Sequence, residues 1–139
     1  MVLVRVLFVA GFGPVSARPA LSRRLYQDLL ALNLQVEGDY LHTESLGGSK
    51  HFAVWSLSDA AQSCFGEPAW PPDIPIPQAW IEFEVEDLEQ ASAELREAGC
   101  RPLVNDMTEP WGQRVTRFLS PEGLLAALVH TPWLRQPGS

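Results

Sequence analysis

The sequence predicts an α+β protein built from two tandem βαβββ modules, which together form a curved mixed sheet with helices outside and a concave cleft. Three observations carry that prediction. The stretch Trp80–Val129 reads as one complete unit of strand, helix and three further strands. The stretch before residue 58 shows the same order of elements with little residue identity. Between them lie five prolines, Pro68, Pro71, Pro72, Pro75 and Pro77, in a segment that cannot join a central ladder because proline lacks the N–H. The chain is therefore read as a single domain over residues 1–139, with module one at 1–65, a stiff linker at 66–78 and module two at 79–133.

Taken in order, residues 2–9 are rich in β-branched side chains and form the first strand. Gly11-Phe12-Gly13-Pro14 is read as a turn ending it, within a loop over 10–18. Pro19 suits the first turn of a helix, where its missing N–H costs nothing. Leu21, Leu25, Leu29 and Leu32 mark one face of that helix, and Asn33 takes the left-handed position after it. Short strands follow at 34–37 and 40–45. Gly47-Gly48 makes a hairpin turn, a fourth strand spans 50–57, and a short helix spans 58–65.

In module two, Trp80-Ile81-Glu82-Phe83-Glu84-Val85 alternates apolar and acidic residues after its first position, the period-2 pattern of a half-buried strand. Asp87 caps a helix, with Gln90 in the capping-box position. Leu88, Ala91, Leu95 and Ala98 line one helical face, and Gly99 stops it. Strands are expected at 101–104, 113–119 and 124–130, with a Ser120-Pro121-Glu122-Gly123 turn before the last.

Composition excludes several classes. With 46% apolar residues the chain has enough material for a core, so disorder is not expected. The formal net charge is −7 with no basic cluster, which argues against nucleic acid. The apolar N-terminus is too short for a membrane span and lacks a basic leader. Cys64 and Cys100 show no disulfide or metal spacing, as in a reduced cytoplasmic protein.

The motif Phe83-Glu84-Val85-Glu86-Asp87-Leu88, then Leu95…Ala98-Gly99, Trp111-Gly112 and Ser120-Pro121-Glu122-Gly123, resembles the vicinal oxygen chelate superfamily. That superfamily holds glyoxalase I, extradiol dioxygenases and bleomycin-resistance proteins. Ser120 stands where the family pattern has aspartate. The resemblance implies a ligand cleft and a homodimer. In catalytic members it also implies one divalent metal held by side chains from four strands. Each corresponding position here lacks a donor. Trp80 and Ala127 occupy the two positions of module two; residues 2–8 contain no His, Asp, Glu or Gln; Val54, Trp55 or Ser56 fills the fourth. No metal and no cofactor are expected, and no catalytic residue is assigned.

Strand alternation sorts the remaining side chains. Ile81, Phe83 and Val85 should pack under the helices, with Trp80, Glu82 and Glu84 on the cleft face. Trp55, Leu125, Ala127 and Val129 join them, and Trp111 lies in a loop at the cleft mouth as a lid or dimer contact. The candidate ligand-binding residues are Trp55, Trp80, Glu82, Glu84, Trp111 and Ala127. Indole rings offer stacking area worth about 0.5–2 kcal/mol to a cation, and carboxylates offer charge-assisted hydrogen bonds. Glu82 and Glu84 can instead pair with Arg114 or Arg117 across the sheet. Trp70 and Trp133 are read as packing anchors. The expected function is metal-independent binding of a small cationic or aromatic organic molecule, as in drug sequestration. In that case Trp80→Ala and Glu82→Gln weaken binding without unfolding. A metal-dependent lyase, isomerase or dioxygenase using His42, Glu44 and His51, and an interaction module without a small ligand, are the alternatives.

Overall fold

The computed structural model describes residues 4–135. Eight strands form one open sheet: β1 (Val6–Ser16), β2 (Gln35–Glu37), β3 (Tyr40–Thr43), β4 (Phe52–Ser56), β5 (Ala79–Val85), β6 (Val104–Thr108), β7 (Arg114–Leu119) and β8 (Leu125–His130). Their order across the sheet is β2-β3-β4-β1-β5-β8-β7-β6. Each module thus contributes four strands, and the two first strands, β1 and β5, pair antiparallel at the centre. β1 lies parallel to β4, and β5 parallel to β8. This is the tandem βαβββ arrangement expected from the element order.

The helices are α1 (Pro19–Arg23, continued as a π-helical turn over Arg24–Leu29), α2 (Leu57–Phe65) and α3 (Leu88–Glu97). α3 forms as expected. The Asp87 side chain caps it by accepting from Gln90 N at 3.1 Å, satisfying one of the free N–H groups of the first turn. Its inner residues Leu88 and Ala91 bury Val85 and Leu128 on one face of the sheet. α2 lies against the opposite, cleft face: Ala60 and Cys64 pack with Trp55, Trp80 and Leu125. Ser56 caps α2 by accepting from Asp59 N at 3.1 Å.

Three local expectations are corrected. Gly11–Pro14 is not a turn, because β1 runs through it to Ser16. A Cβ on Gly13 would sit 1.8 Å from the Ala53 carbonyl oxygen, and one on Gly11 would sit 2.9 Å from the Trp80 ring. These glycines therefore permit close approach of neighbouring strands instead of ending one. The start of the expected first strand, residues 2 and 3, lies outside the described residues.

The leucine face of the first helix is not buried. Leu21, Leu25 and Leu29 are 53%, 42% and 75% exposed, while Tyr26 and Leu32 make the packing contacts with Leu34, Leu41, Phe52 and Val54. The π-helical turn rotates the later residues away from the spacing an ideal helix would give. Asn33 does take a left-handed conformation, at φ 57°.

The strand expected at 101–104 instead spans Val104–Thr108. Its register against β7 shifts between Val104 and Met107, around Asp106 at φ 46°. The Thr116 hydroxyl accepts the Asp106 N–H at 2.9 Å, holding this bulge in place. Among the described residues no helix is long and apolar enough to cross a membrane.

Candidate functional site

The cleft face of the sheet encloses a cavity of about 770 Å³, a size that suits a small organic ligand. Its walls come from both modules. Tyr40 and His42 project from β3, and Glu44, Lys50 and His51 come from the connection to β4. α2 supplies Asp59, Gln62 and Ser63. Trp80 and Glu82 come from β5, Glu109, Pro110, Trp111 and Gln113 from the β6–β7 connection, and Trp133 and Leu134 from the segment after β8. Glu37, Glu44, Asp59, Glu82 and Glu109 set five carboxylates against two cations, Lys50 and Arg117.

The floor is a buried charge network. Arg117 is 1% exposed. Its Nη1 donates to Glu82 Oε2 at 2.9 Å, its Nη2 to Glu109 Oε2 at 3.3 Å and its Nε to Ser63 Oγ at 3.2 Å. The guanidinium also lies 4.8 Å from the Trp55 ring centroid. Burial alone would depress the Arg117 pKa, but Glu82 and Glu109 outweigh it and raise it, so the group stays charged. Glu82 Oε1 accepts from Gln113 Nε2 at 3.0 Å, and Gln113 Oε1 accepts from Trp111 Nε1 at 3.0 Å. The network therefore runs from the cavity floor to its mouth.

At the other end, Tyr40, His42 and His51 stack, with ring centroids 5.0 Å and 5.7 Å apart for the pairs Tyr40–His42 and His42–His51. Burial, then Glu82, Glu44 and Glu37, raise the Tyr40 pKa. Tyr40 therefore remains a phenol, whose oxygen lies 2.6 Å from His51 Nε2. Glu44 Oε1 lies 2.8 Å from His51 Nδ1 and 3.3 Å from His42 Nδ1. Burial raises the Glu44 pKa, yet these bonds to His51 and His42 lower it overall.

Four of the expected site residues, Trp55, Trp80, Glu82 and Trp111, line the cavity. Trp55 and Trp80 are core side chains, 8% and 4% exposed. One face of Trp55 already carries Arg117, and Trp80 Nε1 donates to the Ala53 carbonyl at 3.0 Å. Glu84 and Ala127 do not reach the cavity; both are fully buried. Glu84 Oε2 instead accepts from Thr131 N at 2.7 Å and Arg135 Nε at 2.6 Å. The expected partners of the acidic pair are thus half right: Glu82 takes Arg117, but Glu84 takes Arg135, and Arg114 pairs with Asp106 at 2.7 Å.

Trp133 is no packing anchor. It is 47% exposed and lines the mouth with Trp111, which is 51% exposed. Trp70 does anchor its loop, through Nε1 to the Ile74 carbonyl and against Phe65.

The central strands do not fit a divalent ion. Strand β1 contains no His, Asp, Glu or Gln. The carboxylates of β5, Glu82 and Glu84, are bound to Arg117 and Arg135, and β8 offers Leu125, Ala127 and Val129. A metal needs three or more free nitrogen, oxygen or sulfur donors around one point. Cys64 is not poised as a nucleophile: burial pushes its thiol up to about 11, far from the depressed values of reactive cysteines.

The family model described as Glyoxalase/Bleomycin resistance protein/Dioxygenase superfamily matches residues 16–128. Several solved structures share the fold. A glyoxalase/bleomycin resistance protein/dioxygenase superfamily member from Vibrio splendidus 12B01 aligns with TM-score 0.56 at 12% identity, over 92% of this chain and 99% of its own. Methylmalonyl-CoA epimerase from Mycobacterium tuberculosis aligns with TM-score 0.59 at 19% identity, over 96% and 95%. A protein described as NAD-dependent benzaldehyde dehydrogenase from Legionella pneumophila aligns with TM-score 0.57 at 10% identity, over 86% and 96%. At these identities the likeness is one of fold, and a fold alone does not carry an activity. Among curated proteins, none matches this sequence.

Proposed function

This chain belongs to the Glyoxalase/Bleomycin resistance protein/Dioxygenase superfamily, and we propose that it binds a small organic cation carrying an aromatic ring, without using a metal at the centre of the sheet. The observation that carries this reading is the charge and lining of the cavity. Five carboxylates face two cations around an aromatic space of about 770 Å³. Arg117 is already neutralised by Glu82 and Glu109, so an anionic ligand has only Lys50 to attract it.

A flat cation fits such a site in two ways. Its ring stacks on Trp111 and Trp133 at the mouth, whose faces are half exposed. Its charge faces Glu37 and Asp59, which lack a buried arginine partner. A cation over an indole face gains about 0.5–2 kcal/mol, rising with desolvation. Trp55 and Trp80 shape the floor and leave stacking to the mouth. Sequestration of a basic drug is the use this chemistry serves, in the cytoplasm if the two free thiols reflect its compartment.

The same protein is proposed to be a homodimer. The exposed leucines of the first helix, Leu21, Leu25 and Leu29, support a covered face there, since such a row is costly in water.

The test is a tryptophan-fluorescence titration of chelator-treated protein with an N-methylated aromatic cation and with its neutral parent. Binding of the cation, weakened by Trp111→Ala and by Glu37→Gln, supports the reading. Equal binding of cation and neutral parent contradicts it.

A further inference from the structure

Among the described residues, His42, Glu44 and His51 form the one group of three side chains able to hold a metal ion. Their ligand atoms all lie within 4.8 Å of one another. The local fold explains the grouping. His42 lies on β3 and Glu44 two residues on, just past the strand's end, and the hairpin through Gly47-Gly48 returns His51 beside them. Both imidazoles aim Nδ1 at the same Glu44 oxygen.

A second observation concerns the other ring nitrogen of His42. His42 is nine-tenths buried, yet its Nε2 has no hydrogen-bond partner; the nearest carboxylate oxygen, on Glu37, is 3.5 Å away. An unpartnered buried polar atom is costly and calls for a reason. A metal at Nδ1 supplies one. Ligation at Nδ1 leaves the ring proton on Nε2, where it donates towards Glu37. His51 would be oriented in the same way, with Nε2–H donating to the Tyr40 hydroxyl across 2.6 Å. Histidines that bind metals generally donate their other N–H to a carboxylate, carbonyl or hydroxyl-type partner, which fixes the tautomer. The Tyr40 hydroxyl is already within hydrogen-bond distance of His51 Nε2, and Glu37 has only to close from 3.5 Å on His42 Nε2.

We propose that His42 Nδ1, His51 Nδ1 and the Glu44 carboxylate bind one divalent transition-metal ion of the zinc class, with its remaining position open to the cleft. Two imidazoles and one carboxylate select this class over calcium or magnesium, which take oxygen ligands. Bond lengths of about 2.0–2.2 Å place tetrahedral donors roughly 3.4 Å apart, so a pair at the 4.8 Å limit closes by about 1.4 Å. Glu44 is exposed and His51 partly so, and both can make that movement while His42 stays fixed. All three line the cavity, so the ion would form part of its wall. The site lies on β3 and its hairpin, away from the donor-poor central strands β1, β4, β5 and β8.

The test is calorimetric titration of chelator-treated protein with Zn²⁺ alone, and the visible spectrum with Co²⁺ alone. One equivalent should bind, with a Co²⁺ spectrum of low coordination number and no thiolate band. Glu44→Gln and His51→Gln should each weaken binding about 100-fold, and Tyr40→Phe about 10-fold or more. His130→Gln should change nothing. The imidazole ¹⁵N spectrum of the unaltered protein needs no variant: zinc should move Nδ1 of two histidines and leave the third. Absence of saturable zinc binding, unchanged ¹⁵N signals, or full binding by folded Glu44→Gln and His51→Gln would overturn the proposal. The organic-cation titration is run with chelator present, so failure here leaves that reading intact, and the converse holds.

Discussion

Replacing Arg117 by methionine should be among the most damaging single changes in this protein. The guanidinium is 1% exposed and joins two carboxylates that are themselves buried, Glu82 at 9% and Glu109 at 3% exposure. Removing one partner of a buried ion pair strands the other charge, at a cost of about 3–5 kcal/mol. Here two charges are stranded, so the upper end applies at neutral pH. That is a large fraction of the roughly 5–15 kcal/mol that stabilises a typical domain. Urea denaturation followed by near-ultraviolet circular dichroism measures it. Acid should partly rescue the variant, because protonating the orphaned carboxylates removes the stranded charge, and the double variant Arg117→Met/Glu82→Gln should be more stable than Arg117→Met alone. A loss within about 0.5 kcal/mol of the unaltered protein, the range of an ordinary surface change, would refute the buried network.

Further outcomes follow from packing and titration. Gly13→Ala should prevent correct pairing of β1 with β4, because its Cβ would lie 1.8 Å from the Ala53 carbonyl oxygen; soluble yield and circular dichroism check this, and a native spectrum would contradict it. Cys64, held up to about 11 by burial, has a thiolate fraction near one part in a thousand at pH 8, so mass spectrometry after brief iodoacetamide treatment should find Cys100 modified and Cys64 intact. Burial, then Arg135, lower the His130 pKa. The unfolded chain therefore takes up that proton first. Stability from neutral His130 is complete above about pH 6.5 and declines as pH falls below it. Urea midpoints at pH 7.5 and 5 should converge on those of His130→Gln less well in acid than in base, and parallel midpoints would show no such linkage.

The fold was legible because its signals are local and repeated. Alternation along Trp80–Val85, the Asp87 cap and the helical spacing of Leu88, Ala91 and Leu95 each depend on neighbouring residues, and all of them formed. Alternation also placed Trp80, Glu82, Leu125 and Val129 on the cleft side. What the sequence concealed depends on approach between distant segments. Gly11 and Gly13 look like a turn until Ala53 and Trp80 are seen beside them. Arg117, Glu109 and Gln113 are separated from Glu82 by 27 residues or more, and only the pairing of β5, β8 and β7 collects them. The Glu82–Arg117 alternative was visible as a cross-sheet pair, but not the second carboxylate. Trp133 looked like an anchor because prolines flank its region; its exposure depends on where the chain leaves the sheet. Trp80, assigned to ligand contact from strand phase alone, faces the cavity but is held by the Ala53 carbonyl. Its replacement by alanine should therefore destabilise the fold by about 3–5 kcal/mol as well as alter the cavity.

The claim that the cleft takes an aromatic cation is tested most directly by titrating chelator-treated protein with N-methylacridinium and with acridine at a pH where acridine is neutral, following tryptophan fluorescence in the unaltered chain and in Trp111→Ala. Saturable quenching by the cation, at least tenfold tighter than by the neutral ring and weakened in Trp111→Ala, is the predicted result. No saturation, or equal affinity for the two rings with no effect of Trp111→Ala, would contradict it.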